Sequence, residues 1–240
     1  MKNLLPFIIL FTFLSSTAHA SKDTTQLGMN INSLTPKQSP WKGIMLDLGL
    51  VHLNNAPALM QTRMWRPASV NIYYYHRIEL GSEKFTFNPG IGVGLDNFFF
   101  QDNVQISAWG DTVLALENYM TGMNVDYRKS KLSTNFVDIP FELRFKSSSI
   151  NNKAFKIALG GKVGMRFQAQ TKVKYDVGDR TVKEKVSHDH YVNRFRYGVT
   201  GRIGYGRFLF YGYYSLSDIF QSNTAPEMNP IMFGVSLSAF

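Results

Sequence analysis

The residues best suited to metal chemistry lie in one polar segment of the chain. His188 and His190 flank Asp189, and Asp176 and Asp179 precede them. Imidazole and carboxylate groups together bind divalent metals, and histidines spaced i, i+2 share a face where the backbone is extended. Because loop histidines are more often only solvated, we predict no metal site, and His188 and His190 remain candidates to be located. The chain has no cysteine, which excludes a thiolate site.

Two serines have an acid–base residue next to them in the sequence. Ser187 precedes His188, and Ser217 precedes Asp218. Catalytic triads are assembled in space rather than in sequence, so these adjacencies carry little information. We predict no catalytic residue and no enzymatic activity, with a surface hydrolase as the residual alternative.

A third candidate is the glycine series Gly90, Gly92 and Gly94. It lacks the spacing and the following helix of a nucleotide-binding loop. The sequence therefore predicts no cofactor.

Charged residues recur on one phase of segments that alternate between apolar and polar side chains. In the clearest segment, Phe85–Leu95, odd positions are apolar and even positions are small or polar. Period-two alternation is typical of strands whose two faces meet different surroundings. We assign the following charged residues to the inner face: Asp47, Arg77, Glu79, Asp138, Glu142, Arg144, Lys162, Arg166, Arg194, Arg196 and Arg202.

The alternating segments predict an all-β fold, an eight-stranded antiparallel up-and-down transmembrane β-barrel. The predicted strands cover residues 42–52, 69–80, 84–97, 134–146, 153–174, 191–206, 207–217 and 229–240. Segments between them are alternately long and short, as in outer-membrane barrels with long external loops and short periplasmic turns. Within the longest loop, 98–133, the segment Thr112–Met120 predicts a short helix.

The amino terminus predicts export. Lys2, the apolar run Leu4–Leu14 and Ala18-His19-Ala20 match a signal peptide, and the run is too short to span a bilayer. We predict a signal peptide over 1–20 with cleavage near Ala20, a flexible periplasmic arm over 21–41 and a barrel over 42–240. The predicted location is the outer membrane of a Gram-negative cell.

A soluble lipocalin-like barrel also alternates and is the structural alternative. Aromatic residues at strand ends favour the membrane barrel, because interfacial girdles are aromatic. The residues taken as girdles are Tyr73, Tyr74, Tyr75, Phe98, Phe99, Phe100, Tyr211, Tyr213 and Tyr214. The terminal Phe240 also fits an outer-membrane barrel, although the preceding apolar alternation is out of phase with it.

Eight strands leave an interior only wide enough for side chains. Buried charges need partners, so we predict a lumen ion-pair network of Asp47, Asp138, Glu142, Arg144, Lys162, Arg166 and Arg202. A turn centred near Ser149–Ile150 predicts that paired residue numbers sum to about 299–300 across the hairpin. That register places Asp138 beside Lys162, with Arg166 close by. The favoured function is a non-conducting structural or accessory barrel, and the alternatives are a small-solute diffusion porin and a barrel that binds a ligand or lipopolysaccharide through its surface loops.

Basic residues gather in the external segments and point to an anionic partner. They are Arg63, Arg66, Arg128, Lys129, Lys131, Lys172, Lys174, Arg180, Lys183 and Lys185. An exported barrel has little access to nucleic acid, so lipopolysaccharide phosphates are the nearer anion, with a merely solvated face as the alternative. The expected partners are outer-membrane lipids and lipopolysaccharide, the barrel-assembly machinery and other envelope or secretion proteins.

Four segments resemble a known family: FTFNPGIGVGLDN (85–97), VDIPFELRF (137–145), FRYGVTGRIGYG (195–206) and YSLSDIF (214–220). They are similar to the outer-membrane β-barrel family that includes PorT-like porin-family proteins, over roughly residues 42–240. The resemblance implies an outer-membrane barrel without catalytic residues. Some PorT-type members assist protein secretion, and the resemblance implies a secretion-related role as an expectation of the family rather than of these residues.

Overall fold

A computed structural model describes residues 43–63, 66–101, 104–109, 112–117, 125–148, 153–177, 180–186 and 191–239 of the 240-residue chain. These residues belong to the second of two units, Ser39–Phe240. The strands are β1 (Ile44–Asn54), β2 (Ser69–Tyr75), β3 (Ile78–Glu79), β4 (Phe85–Phe99), β5 (Val104–Trp109), β6 (Thr112–Glu117), β7 (Val125–Lys146), β8 (Phe155–Val177), β9 (Arg180–Val186), β10 (Phe195–Tyr205), β11 (Phe208–Ser215) and β12 (Asn229–Ser238).

Eight of these strands close into an antiparallel barrel. The order is β1-β2-β4-β7-β8-β10-β11-β12, and β12 pairs back onto β1. The predicted eight-stranded barrel is confirmed, with strand boundaries that differ mainly at β7 and β8, which are 22 and 23 residues long. Strands of about 9–11 residues suffice to cross a bilayer, so both strands continue well beyond that length.

The faces of the barrel show which solvent each side meets. The outer face carries exposed apolar side chains, for example Leu159 at 67% and Phe210 at 70% exposure, whereas Asp138 and Glu142 inside are 0% and 1% exposed. A soluble barrel would have the opposite polarity, because water outside favours polar groups there. The arrangement therefore excludes the lipocalin-like alternative.

Most of the aromatic residues predicted to form an interfacial girdle do not lie on the outer face of the barrel, so that prediction is wrong for them. Tyr73, Tyr75, Tyr211 and Tyr213 lie inside the barrel, whereas Tyr74 and Tyr214 are exposed on its outer face. Consecutive strand residues point to opposite faces, so a run of tyrosines cannot all reach the interface. The aromatic residues on the outer face include Phe85, Phe155, Phe167, Phe195, Tyr197, Tyr205, Phe208, Phe210 and Phe233.

The helix predicted at Thr112–Met120 is also wrong for the part that the structure describes. Thr112–Glu117 is β6, and it pairs with β5 through Trp109 opposite Thr112. Cross-strand pairing here outweighs the helix propensity of Leu114, Ala115 and Leu116.

Helical structure is limited within the described ranges. Ala58–Met60 forms one 3-10 turn in the first long loop. Among the described residues, no helix has the length and apolar character needed to cross a bilayer.

An apolar cluster fills the end of the barrel where the long loops lie. Its buried members include Val51, Leu53, Met60, Phe98, Phe100, Leu132, Val192, Ile219, Phe220, Met228 and Met232. Residues from loops and strand ends thus pack together above the lumen.

Candidate functional site

The lumen holds two clusters of buried charges, each built around one arginine. Strand alternation places their side chains inward, because Asp47, Asp138, Glu142, Arg196 and Arg202 all lie on the buried phase of their strands.

In the first cluster, Arg196 binds two carboxylates. Its Nε and Nη2 atoms donate to the two oxygens of Asp138 at 2.9 and 2.6 Å, and its Nη1 donates to Asp96. The Arg196 guanidinium also lies 4.0 Å from the ring centre of Phe136. The planar guanidinium suits such two-oxygen contacts, which lysine cannot make.

Tyr73 and Lys162 complete this first cluster. The Tyr73 hydroxyl donates to Asp138 at 2.8 Å, and Lys162 Nζ donates to the Tyr73 hydroxyl at 3.1 Å. Lys162 Nζ is 3.6 Å from Asp138 Oδ2 and 4.1 Å from the ring centre of Tyr213. The predicted neighbours Asp138 and Lys162 are thus brought together, but Arg196 makes the shorter contacts with Asp138.

In the second cluster, Arg202 joins Asp47 to Glu142. Its Nη1 and Nη2 donate to the two Asp47 oxygens at 2.7 and 2.8 Å, and its Nε donates to Glu142 at 2.8 Å. Arg144 Nε donates to the other Glu142 oxygen at 2.9 Å. The Tyr75 hydroxyl donates to Glu142 at 2.7 Å.

The two clusters balance in charge. Asp96 and Asp138 face Arg196 and Lys162, and in the other cluster Asp47 and Glu142 face Arg202 and Arg144. Each cluster therefore has two carboxylates and two cations. Charge balance and hydrogen bonding offset the cost of removing these groups from water.

The predicted hairpin register is off by two to three. Asp138 lies opposite Gly164 and Pro140 opposite Lys162, so paired numbers sum to 302. The last pair, Lys146 with Lys156, has the same sum, and the residues of the predicted turn centre, Ser149 and Ile150, lie outside the described residues. Asp138 reaches Lys162 as a diagonal neighbour, which long side chains allow.

Three predicted lumen charges lie elsewhere. Arg77 and Glu79 form a 3.1 Å ion pair next to the short turn before β4, with Arg77 half-buried and Glu79 exposed. Arg194 is exposed just before β10. Each of these three residues lies at or beyond a strand end. A side chain there can have the alternation of an inward residue and still not lie inside the closed barrel. Arg166 is half-buried opposite Phe136, at a β-bulge between β7 and β8.

Sequence reasoning missed Asp96 and the tyrosine hydroxyls. Asp96 follows Gly92 and Gly94 on the even, inward phase of β4, so its position was readable from the alternation. Tyr73 and Tyr75 were taken as interfacial, although the same rule places them inside.

Most of the residues considered for metal binding or catalysis cannot be located. His188 and His190 lie outside the described residues, as do Ser187 and Phe240. Within the described ranges, no group of three or more His, Asp or Glu side chains could hold a metal ion. Ser217 Oγ accepts a bond from the Tyr197 amide at 3.2 Å and lies 3.1 Å from Ser215 Oγ.

Gly164 makes room for the first cluster. A Cβ atom there would collide with the Asp138 carboxylate and lie 3.1 Å from Arg196 Cγ. We expect Gly164→Ala to lower the free energy of unfolding by about 1–3 kcal/mol, the usual cost of overpacking. Urea unfolding of the lipid-embedded barrel, followed by tryptophan fluorescence, measures this. Gly212→Ala is the matched control, because nothing lies within 4 Å of its Cβ position; equal losses in both variants would contradict the packing argument.

A closed barrel with an apolar outer face and a charged interior is the structure of an outer-membrane β-barrel protein. The chain belongs to the family described as outer membrane protein beta-barrel domain, whose model matches residues 15–221.

Two solved structures of the Yersinia pestis attachment invasion locus protein Ail are similar. The first shares 11% identity, with a TM-score of 0.35, over 82% of this chain and 98% of that one. The second, Ail in complex with the heparin analogue sucrose octasulfate, shares 10% identity with a TM-score of 0.32, over 81% and 95% of the two chains. No curated protein matches the sequence.

Proposed function

We propose that this chain is a non-conducting structural or accessory barrel of the Gram-negative outer membrane. The observation that carries the proposal is the filled lumen, in which two charge-balanced clusters occupy the middle of the barrel. An ion crossing this interior would have to displace bidentate arginine–carboxylate contacts that are already satisfied.

The apolar cluster above the lumen supports the same proposal. Val51, Phe98, Leu132 and Met232 are among its side chains, each at most 2% exposed. Between this cluster and Arg196 lies a cavity of about 20 Å³, lined by Asp96, Phe136 and Tyr213 among others. That volume holds about one water molecule, which is too little for solute diffusion.

Location, processing and partners belong to the same proposal. Cleavage near Ala20 would release a mature chain with a periplasmic arm, and the barrel-assembly machinery would insert it among outer-membrane lipids. The PorT-like segment 137–145 lies in β7 and carries both Asp138 and Glu142. It supports an accessory role beside envelope or secretion proteins. We propose no enzymatic activity, metal or cofactor.

Conductance measurements test this proposal against the diffusion porin. We expect the purified mature barrel, reconstituted in planar bilayers, to show no stable conductance steps, because hydrogen-bonded charged side chains fill the lumen in the part of the chain that the structure describes. A general porin reconstituted in parallel provides the positive control. Heat-modifiable migration on gels first establishes that the barrel is folded. Reproducible open channels from folded protein would refute the packed lumen and favour the porin.

A further inference from the structure

The external extension of the barrel wall carries a two-dimensional array of lysines. β7 and β8 continue past the bulge near Phe136, and β9 pairs with the end of β8. Lys172 lies opposite both Lys131 and Lys185, and Lys174 lies opposite both Lys129 and Lys183. We call Lys131, Lys172, Lys174, Lys183 and Lys185 the lysine array.

The array occupies the outer face of the wall. Ser130, Leu132, Thr171 and Val173 alternate with its members on β7 and β8 and are buried. Successive side chains point to opposite faces, so the lysines project away from the barrel interior. Lys183 and Lys185 are exposed, whereas Lys172 and Lys174 are half-buried.

Such an array is electrostatically unfavourable by itself. Side chains directly opposite on neighbouring strands have Cβ atoms about 5 Å apart, and like charges there destabilise a sheet. Within the described part of the chain, no ion pair joins Lys172, Lys174, Lys183 or Lys185 to a carboxylate. A ligand with several closely spaced anionic groups would offset this repulsion.

The height of the array above the membrane indicates which anion it meets. Phe167, 55% exposed, is the last large apolar side chain of β8 on the outer face before the array. Lys172 follows five residues later, about 17 Å along the strand, or about 12 Å above Phe167 for a strand tilted by about 45°. The array therefore lies just beyond the hydrocarbon, and its face looks sideways, toward neighbouring lipid headgroups.

We propose that the lysine array binds the phosphate groups of lipopolysaccharide in the outer leaflet. The proposal rests on the proposed outer-membrane location. Phe99 lies beside the array, since Lys131 Nζ lies 5.5 Å from the Phe99 ring centre and donates to Asn97 at 2.8 Å. Arg66 lies 5.5 Å from the same ring, so cations flank Phe99 on this side of the barrel.

A charge-matched pair of variants tests the proposal. The array variant carries Lys172→Gln, Lys174→Gln and Lys185→Gln. The control carries Lys84→Gln, Lys153→Gln and Arg207→Gln, three exposed residues at the opposite, short-turn end of the barrel. Each barrel is reconstituted in phosphatidylcholine nanodiscs and titrated with the deacylated, phosphorylated lipopolysaccharide oligosaccharide, and with the same oligosaccharide after phosphatase treatment.

We expect the wild-type barrel and the control to bind the phosphorylated oligosaccharide. The array variant should bind it about 100-fold more weakly, since each of the three lysines near an anionic surface contributes a factor of about five. Phosphatase treatment should have a comparable effect, and added salt should weaken binding. Equal binding by both variants, or binding that is indifferent to phosphate, overturns the proposal. Preference for a sulfated polysaccharide over the oligosaccharide also overturns it, in favour of a soluble polyanion.

The proposed outer-membrane location and the proposed phosphate binding by the lysine array can be refuted separately. Heat-modifiable migration and membrane fractionation of the wild-type chain report on the location alone. A barrel that is embedded in the outer membrane but shows no phosphate-dependent binding refutes the array and leaves the proposed function standing.

Discussion

Replacing Arg202 with methionine is expected to lower the free energy of unfolding by about 3–5 kcal/mol, the cost of breaking a buried ion pair by removing one partner. Arg202 makes two contacts with Asp47 and one with Glu142, all at 2.7–2.8 Å. Methionine fills a similar volume but leaves Asp47 buried without its cation. Urea unfolding in lipid vesicles measures the loss, and the exposed Arg207 provides the control, since Arg207→Met should change stability by less than about 0.5 kcal/mol.

A second substitution should restore much of this stability. Arg202→Met with Asp47→Asn returns the cluster to one carboxylate and one cation, because Glu142 keeps its 2.8 Å ion pair with Arg144. If the double variant is no more stable than Arg202→Met alone, the loss comes from packing around Arg202 rather than from the uncompensated Asp47 charge.

The sequence predicts which side chains of this barrel point inward or outward much better than it predicts which residues pair across neighbouring strands. Period-two alternation identified the eight barrel strands and most of the inward charges, because the polarity of each side chain must match the surroundings of its face. The same rule applied strictly would have placed Tyr73 and Tyr75 inside and added Asp96 to the network. The two tyrosines were misplaced because a cluster of aromatic residues was taken to mark the membrane interface, although alternate residues of a strand point to opposite faces.

The register and the external structure were harder to predict, for physical reasons. A shift of one residue in the turn centre moves every cross-strand partner by two, and the turn between β7 and β8 has no strong signal that fixes it. The β5–β6 hairpin depends on pairing that local helix propensity opposes. Arg196 binds Asp138, 58 residues away in the sequence, and Arg202 binds Asp47, 155 residues away. These contacts cross the lumen, and only the closed barrel brings the residues together.

The Asp138 carboxylate offers a sharper test, because two cations lie beside it. Asp138→Ala should lower the free energy of unfolding by about 3–5 kcal/mol, since it leaves Lys162 buried without a carboxylate partner. Adding Lys162→Met should recover much of the loss, because Arg196 retains Asp96 and the cluster is again balanced. The change in urea midpoint, at an unchanged slope, measures both effects.

The matched comparison is Asp138→Ala with Arg196→Met. This pair of substitutions removes the stronger partner of Asp138, yet it leaves Asp96 without its arginine and Lys162 without its carboxylate, so we expect little recovery. Greater recovery with Arg196→Met than with Lys162→Met would show that Asp138 and Arg196 act as an isolated pair. The first cluster would then not be a four-charge unit, and the account of the lumen as two balanced clusters would be wrong.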